Sequence, residues 1–150
     1  MTVQEQQKIR EKYHSKAMQY MGKAKEYLKE APKDGKFFCD QKYVKKACRE
    51  AYKGLLVALD CFLLLKGVET PDVKGRKPIE FYQYNINKLD KKMMNPLNCA
   101  YQILHLYANY DGINSVAVVR YGFEDAQVII NKIKPAGLNG ATRRNGKVKK

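Results

Sequence analysis

The stretch that most constrains the fold runs from Tyr43 to Lys66, YVKKACREAYKGLLVALDCFLLLK. Its apolar residues recur at alternating spacings of three and four, which is the period of one face of an α-helix: Val44, Cys48, Ala51, Leu55, Ala58, Phe62 and Leu65. Three more leucines make the second half of this helix apolar almost all round: Leu56, Leu59 and Leu63. Such a helix must be surrounded by others, so we expect it at the centre of a bundle.

Four further helices are predicted from apolar residues at the helical period, with Pro or Gly near their boundaries. They cover Lys12–Ala31, about fifteen residues from Pro78, Asn95–Asp111 and Ser115–Pro135. Asp40 and Gly67 are the expected caps of the central helix. Because no run alternates polar and apolar residues over the length of a strand, the predicted fold class is all-α, an antiparallel up-and-down bundle of about five helices.

The predicted bundle domain spans residues 1–135, with residues 1–11 as a frayed lead-in to the first helix. Residues 136–150 lack periodicity and large apolar groups, which is typical of a disordered basic tail. The longest apolar run is too short to span a bilayer, and residues 1–10 are polar rather than a signal pattern. We therefore expect a cytoplasmic protein with no membrane partner.

The cysteines and histidines favour neither a metal site nor a disulfide. The four cysteines form no CxxC pair, and the two histidines, His14 and His105, lie far apart in sequence. Two of the cysteines, Cys48 and Cys61, fall within the apolar helix, where cysteine acts as a small hydrophobe. We expect no metal and no cofactor.

The formal charge of +14 indicates an anionic partner, such as RNA, a nucleotide or an acidic protein. Residues 141–150 carry five of these positive charges and no negative ones, which leaves +9 on residues 1–140. The body of the protein is therefore basic as well as its tail. Solubility is the alternative explanation, and charge alone does not exclude it.

The first candidate site is a row of cations on the outer face of the central helix. Lys42, Lys46, Arg49 and Lys53 fall at i, i+4, i+7 and i+11, with Lys45 beside them. Such a row can match the phosphates of a nucleic acid, each contact releasing counterions. It is equally typical of a solvated helix face.

The second candidate site is a polar group near the end of the fourth helix, formed by His105, Asn109, Tyr110 and Asp111. His105 and Asn109 are four residues apart and share a helix face. These side chains suit a small polar ligand or general-base chemistry. A single histidine on a helix is also commonly a surface or structural residue.

Two other features have a structural interpretation. Asp60 lies among leucines of the central helix, where a carboxylate needs a Lys, Tyr or backbone partner on a neighbouring helix. Tyr13, Tyr20 and Tyr27 stand seven residues apart on the first helix. Their spacing favours a stripe at the edge of the core over a platform for stacking bases.

Two segments carry a family resemblance. Residues 47–70, ACREAYKGLLVALDCFLLLKGVET, resemble the central helix of HEPN domains, and residues 105–135 resemble the last two HEPN helices. Over 12–135 the chain more closely resembles a small uncharacterised bacterial family related to HEPN domains. The resemblance implies a bundle that forms a homodimer. It also implies either RNase activity or a non-catalytic role beside a nucleotidyltransferase.

The sequence departs from the HEPN RNase motif, in which an Arg precedes a His by four to six intervening residues. The positions that would serve His105 hold Asn98, Cys99 and Ala100, and only three residues separate Arg10 from His14. We therefore expect non-catalytic binding of RNA, a nucleotide or a partner protein. The alternatives are a ribonuclease with a degenerate site and a toxin–antitoxin or assembly partner.

Overall fold

The structure, a computed structural model, describes residues 1–70 and 75–137. Within them, the chain forms five α-helices and one short β-hairpin, which confirms the predicted all-α class. The elements in order are α1 (Val3–Glu30), β1 (Lys33–Asp34), β2 (Phe37–Phe38), α2 (Gln41–Leu65), α3 (Ile79–Leu89), a 3₁₀ turn (Lys91–Met93), α4 (Met94–Ala100), a π-helical segment (Tyr101–Asp111) and α5 (Val116–Asn131).

The predicted central helix is α2, and it packs against α1, α3, α5 and the π segment. Both predicted caps are confirmed. The Asp40 side chain accepts a hydrogen bond from the backbone N–H of Lys42 at 2.8 Å. At the other end, Gly67 takes a φ of 76°, and Val68 N–H reaches back to the Leu63 carbonyl at 3.0 Å. The chain can turn back in this way at the end of the helix because glycine adopts the left-handed conformation without strain.

The long helices run up and down, as predicted. Tyr20 of α1 lies beside Lys53 of α2, and Tyr27 lies beside Lys46, so these two helices are antiparallel. The π segment is likewise antiparallel to α2, because its first residue, Tyr101, packs on Tyr52, whereas Ile113, just beyond its end, bonds to Gln41 at the start of α2. One large core results, built mainly from α2 and the inner faces of its neighbours.

Two boundaries differ from the sequence prediction. Residues 1–11 are not frayed, because α1 begins at Val3 with a capping box in which Thr2 and Glu5 bond each other's backbone N–H. The connection between the first two helices, for which no strand was predicted, contains the hairpin, with Gly35 at a φ of 63° in its turn. Strands of two residues are too short to show the alternation by which a strand is recognised in sequence.

The third and fourth helices also differ. The helix α3 ends at Leu89, and Asp90 caps a 3₁₀ turn before α4 begins at Met94, so Asn95, where the fourth helix was predicted to start with this residue as its cap, lies inside the helix. Beyond Ala100 the backbone changes from α- to π-helical hydrogen bonding and ends at Asp111, as predicted, with Gly112 at a φ of 78°. Apolar spacing does not distinguish these two kinds of helix over so short a stretch.

Side-chain and backbone hydrogen bonds fix the end of the π segment. The Gln41 amide of α2 donates to the Ile113 carbonyl at 2.7 Å and accepts from the Ile113 N–H at 2.9 Å. The hairpin is joined to the start of α5 by backbone bonds, including Phe38 N–H to Asn114 O at 2.7 Å. The polar end of the π segment is therefore held against the first turns of α2.

The predicted basic tail over 136–150 falls almost wholly outside the described residues, which end at Gly137. Among residues 1–70 and 75–137, no helix is both long and apolar enough to cross a membrane.

Candidate anion-binding cleft

The cationic row on α2 rests on tyrosine rings. The Lys46 ammonium lies 5.7 Å from the ring centres of both Tyr27 and Tyr43, and that of Lys53 lies 5.9 Å from Tyr20. Attraction between an ammonium and the face of an aromatic ring contributes about 0.5–1 kcal/mol at exposed sites. The three tyrosines on α1 are all half-buried, as the core-edge interpretation predicted, but two of them also order the lysines.

A buried carboxylate neutralises one end of the row. Glu50 is 7% exposed, and it accepts a bond from Lys53 at 2.9 Å and pairs with Lys23 of α1 at 3.7 Å. A buried carboxylate is stable only with such partners. Lys53 is therefore committed to this internal pair, whereas Lys42 and Arg49 are exposed. Lys45 and Lys46 are half-buried, so the row offers fewer available charges than its sequence suggested.

The structure brings the two predicted sites together. Arg49 of the row lines a cleft of about 330 Å³ with His105, Asn109 and Tyr110 of the polar group. The cleft lies between α2 and the π segment. Its remaining walls are Tyr52, Leu104 and Arg76. Asp111 is exposed at the end of the segment and is not among the residues that line the cleft as described.

Stacked rings form one wall of the cleft. The His105 imidazole stacks on Tyr52 and on Tyr101, with ring centres 4.8 and 5.4 Å away and planes inclined by 23° in both cases. The two tyrosine ring centres are 6.2 Å apart, so the three rings form a triangle in which Tyr52 and His105 line the cleft and Tyr101 packs behind them. Tyr110 meets His105 edge-on at 6.3 Å, and its side chain is 76% exposed. The stack holds the imidazole in one orientation and leaves the Tyr110 ring at the rim, accessible to a ligand.

The π-helical backbone places these rings. Each turn of a π-helix contains more residues than an α-helical turn, and such turns recur at functional sites. In this one, the Asn109 amide donates to the His105 carbonyl at 2.8 Å and lies 3.5 Å from the imidazole Nδ1. His105 and Asn109 therefore share a face, as the sequence predicted.

The electrostatics of the cleft favour a neutral imidazole and an anionic ligand. Burial, and after it the positive charge of Arg76, hold the pKa of His105 below its ordinary value. Burial raises the pKa of the Tyr52 hydroxyl to about 12. Near neutral pH both groups are uncharged, so Arg49 and Arg76 are the charged side chains among those that line the cleft as described.

Arg76 is held at the cleft by the partners of Asp60. The Asp60 carboxylate accepts a hydrogen bond from Tyr82 at 2.8 Å and one from Lys77 at 3.3 Å. Tyr82 confirms the predicted partner on a neighbouring helix, whereas Lys77 lies in the connection before α3. Lys77 is the next residue after Arg76, whose guanidinium carbon lies 5.2 Å from the centre of the Tyr52 ring. The two bonds to Asp60 therefore fasten the chain beside Arg76, at Lys77 and at Tyr82, to α2.

Sequence reasoning missed Arg76, Tyr52 and Tyr101. Arg76 belongs to the connection over 67–77, in which no site residue was predicted, and its neighbour Lys77 contacts Asp60, which had been singled out. The predicted need of Asp60 for a Lys, Tyr or backbone partner was the available signal, since Lys77 meets it and brings the 75–77 segment onto α2. Among the described residues, no three His, Cys, Asp or Glu side chains lie close enough together to hold a metal ion.

Fold and cleft together define a small helical-bundle domain with an aromatic cleft flanked by arginines. A family model described as "Domain of unknown function (DUF5618)" matches residues 12–135, and the chain belongs to this family. A solved structure of a protein of unknown function from Dyadobacter fermentans is similar to it. The two are 33% identical with a TM-score of 0.71, over 83% of this chain and 94% of that one. No curated protein matches the chain.

These matches confirm the predicted membership of a family without an assigned function, over the same range of 12–135. The relationship to HEPN domains stays a prediction.

Proposed function

We propose that the protein binds RNA through unpaired nucleotides, and that the cleft between α2 and the π segment is the binding site. One observation carries the proposal: two arginines from different parts of the chain, Arg49 and Arg76, flank a wall of stacked rings in one open cleft. Guanidinium groups bind phosphate oxygens in a bidentate manner, and aromatic rings stack on exposed bases.

The exposed Tyr110 ring supports a ligand with a planar base. Stacking of a base on an aromatic side chain contributes about 1–3 kcal/mol per base. A duplex hides its base faces, so only an unpaired nucleotide can use this ring. The Asn109 amide at the same wall can both donate and accept a hydrogen bond at a base edge.

The α2 row extends the proposed site beyond the cleft. Lys42 and Lys46 continue from Arg49 along the same helix face, and neither has a carboxylate partner among the described residues. A chain of nucleotides leaving the cleft would meet these lysines in turn. Lys53 contributes less, because Glu50 accepts from its ammonium.

The experiment is a titration of a fluorescent single-stranded RNA oligonucleotide with the wild-type protein and with Lys46→Glu/Arg49→Glu. We expect the double variant to lose binding, since it places two negative charges beside the cleft. The matched control is Lys91→Glu/Lys92→Glu, which makes the same change in charge on an exposed turn. Its affinity should stay close to wild type.

Equal losses in the two double variants would contradict the proposal, because binding would then follow net charge alone. Unchanged affinity in Lys46→Glu/Arg49→Glu would contradict it directly. A mononucleotide competitor tests the size of the ligand: competition at low concentration indicates that one nucleotide fills the cleft. A double-stranded oligonucleotide should bind less tightly than the single strand.

A metal-independent ribonuclease is the second candidate function, and the low pKa of His105 favours it. A neutral imidazole beside two arginines can accept the proton of a 2′-hydroxyl, the step that starts RNA cleavage. This candidate predicts cleavage of the oligonucleotide in the presence of a chelator, and loss of cleavage in His105→Ala. Intact RNA after long incubation with the wild-type protein would exclude it.

A homodimer, a nucleotidyltransferase partner, a toxin–antitoxin role and a cytoplasmic location also stay predictions. If the protein forms a stable complex with a partner protein and shows no affinity for RNA at low salt, these results would favour the assembly role over RNA binding.

A further inference from the structure

A second cleft lies between α1, the hairpin and α5. Its volume is about 460 Å³, within the range of about 300–1,000 Å³ that is typical of small-molecule sites. Its apolar lining consists of Met21, Leu28, Phe38, Val116 and Phe123. It shares no lining residue with the anion-binding cleft described above.

The cleft is fixed by backbone hydrogen bonds and is part of the fold. Phe38 N–H donates to Asn114 O at 2.7 Å, and Val116 N–H donates to Lys36 O at 3.0 Å. These two bonds hold the hairpin against the beginning of α5, and Phe38 and Val116 both line the cleft. The hairpin therefore forms one end of this cleft.

Three cations surround the apolar lining, namely Lys25, Lys33 and Arg120, against one carboxylate, Glu124. The Arg120 and Glu124 side chains are both more than half exposed and lie 4.0 Å apart. An exposed pair of this kind is weak, so Arg120 can turn to a ligand. An apolar interior with a cationic rim is complementary to a molecule with an apolar body and an anionic head.

We infer that this cleft binds a free aliphatic carboxylic acid, with the chain against the apolar lining and the carboxylate among Lys25, Lys33 and Arg120. The inference is independent of RNA binding. It predicts that affinity depends on both parts of the ligand, since the interior selects the chain and the rim selects the charge.

The test is calorimetric titration of the full chain with decanoate below its micellar concentration. Two probes with the same chain serve as comparisons: decanol, which lacks the charge, and decyltrimethylammonium, which reverses it. We expect decanoate to bind tightest and the cation weakest. Equal binding of all three probes, or no binding of decanoate, would overturn the inference.

Two variants locate the site. Lys25→Glu/Lys33→Glu should weaken decanoate binding by roughly tenfold and leave decanol binding unchanged, whereas Lys91→Glu/Lys92→Glu should leave both unchanged. Leu28→Trp should fill the cleft and reduce binding of both probes. If Leu28→Trp does not fold, the double charge variant decides alone, and unaltered decanoate affinity in it would contradict the site.

Discussion

The close contact between α1 and α2 predicts that Gly54→Ala destabilises the protein, although alanine is the better helix former. A Cβ atom at position 54 would lie 3.0 Å from the Ala17 carbonyl oxygen and 3.4 Å from Tyr20 Cβ, both on α1. The first contact is with backbone, so relief requires a shift of the helix. Overpacking of this kind costs about 1–3 kcal/mol.

The helix-propensity gain opposes this cost and can be measured separately. Gly22 lies inside α1, is exposed, and would place a Cβ with no described atom within 4 Å. Gly22→Ala should therefore stabilise the protein by about 0.5–1 kcal/mol. Since both positions are helical glycines, the difference between the two variants isolates the packing cost, and we expect that difference to be about 1–3 kcal/mol.

The assay is urea unfolding followed by circular dichroism, with the free energy of unfolding compared at constant m-value. Gly54→Ala should unfold at lower urea than wild type, and Gly22→Ala at higher urea. Equal stabilisation by the two substitutions would refute the reasoning, because it would mean that α1 does not approach α2 as closely as the structure shows. A displaced α1 would also move Tyr20 away from Lys53.

Two further predictions concern titration and positioning. Burial, with a smaller effect of Lys134, lowers the pKa of His14 below its ordinary value of 6.5. His14 therefore adds stability that is complete above about pH 6.5 and is lost as pH falls through the folded-state pKa. Urea unfolding at pH 7.5 and 5.5 should show a smaller loss for His14→Gln than for wild type, and identical losses would contradict this. Tyr82→Phe removes the hydrogen bond to Asp60 and should lower the free energy of unfolding by about 1.5 kcal/mol. The control Tyr84→Phe, at an exposed position, should change it by less than about 0.5 kcal/mol. Equal effects of the two substitutions would argue against the anchoring role of Asp60.

The helices were predictable because their information is local. The apolar period of α2, the Asp40 cap and the Gly67 turn are each encoded within a few residues, and the structure has all three. The start of α1 was missed because the polar segment before Lys12 carries no apolar period, although Thr2 and Glu5 have the spacing of a capping box.

The cleft was predictable only in its parts. Sequence reasoning selected Arg49 on one element and His105, Asn109 and Tyr110 on another, but their meeting depends on tertiary packing. The π-helical turn that aligns His105 with Tyr52 has no sequence signature of its own. Arg76 lies at the cleft because its neighbour Lys77 bonds to Asp60, which is 17 residues earlier in the chain. Chemistry-bearing residues can be identified from sequence, whereas the side chains that complete their site depend on the fold.

The salt dependence of RNA binding tests the central claim most directly. Four cations lie in or beside the cleft, Lys42, Lys46, Arg49 and Arg76, and each phosphate contact on a single strand contributes about 0.7 to the slope of log affinity against log salt. The wild-type slope should therefore approach about −3. In Arg49→Gln/Arg76→Gln it should become shallower by about 1.4, while Lys91→Gln/Lys92→Gln leaves it unchanged. A slope that is the same in both double variants would contradict phosphate binding at this cleft.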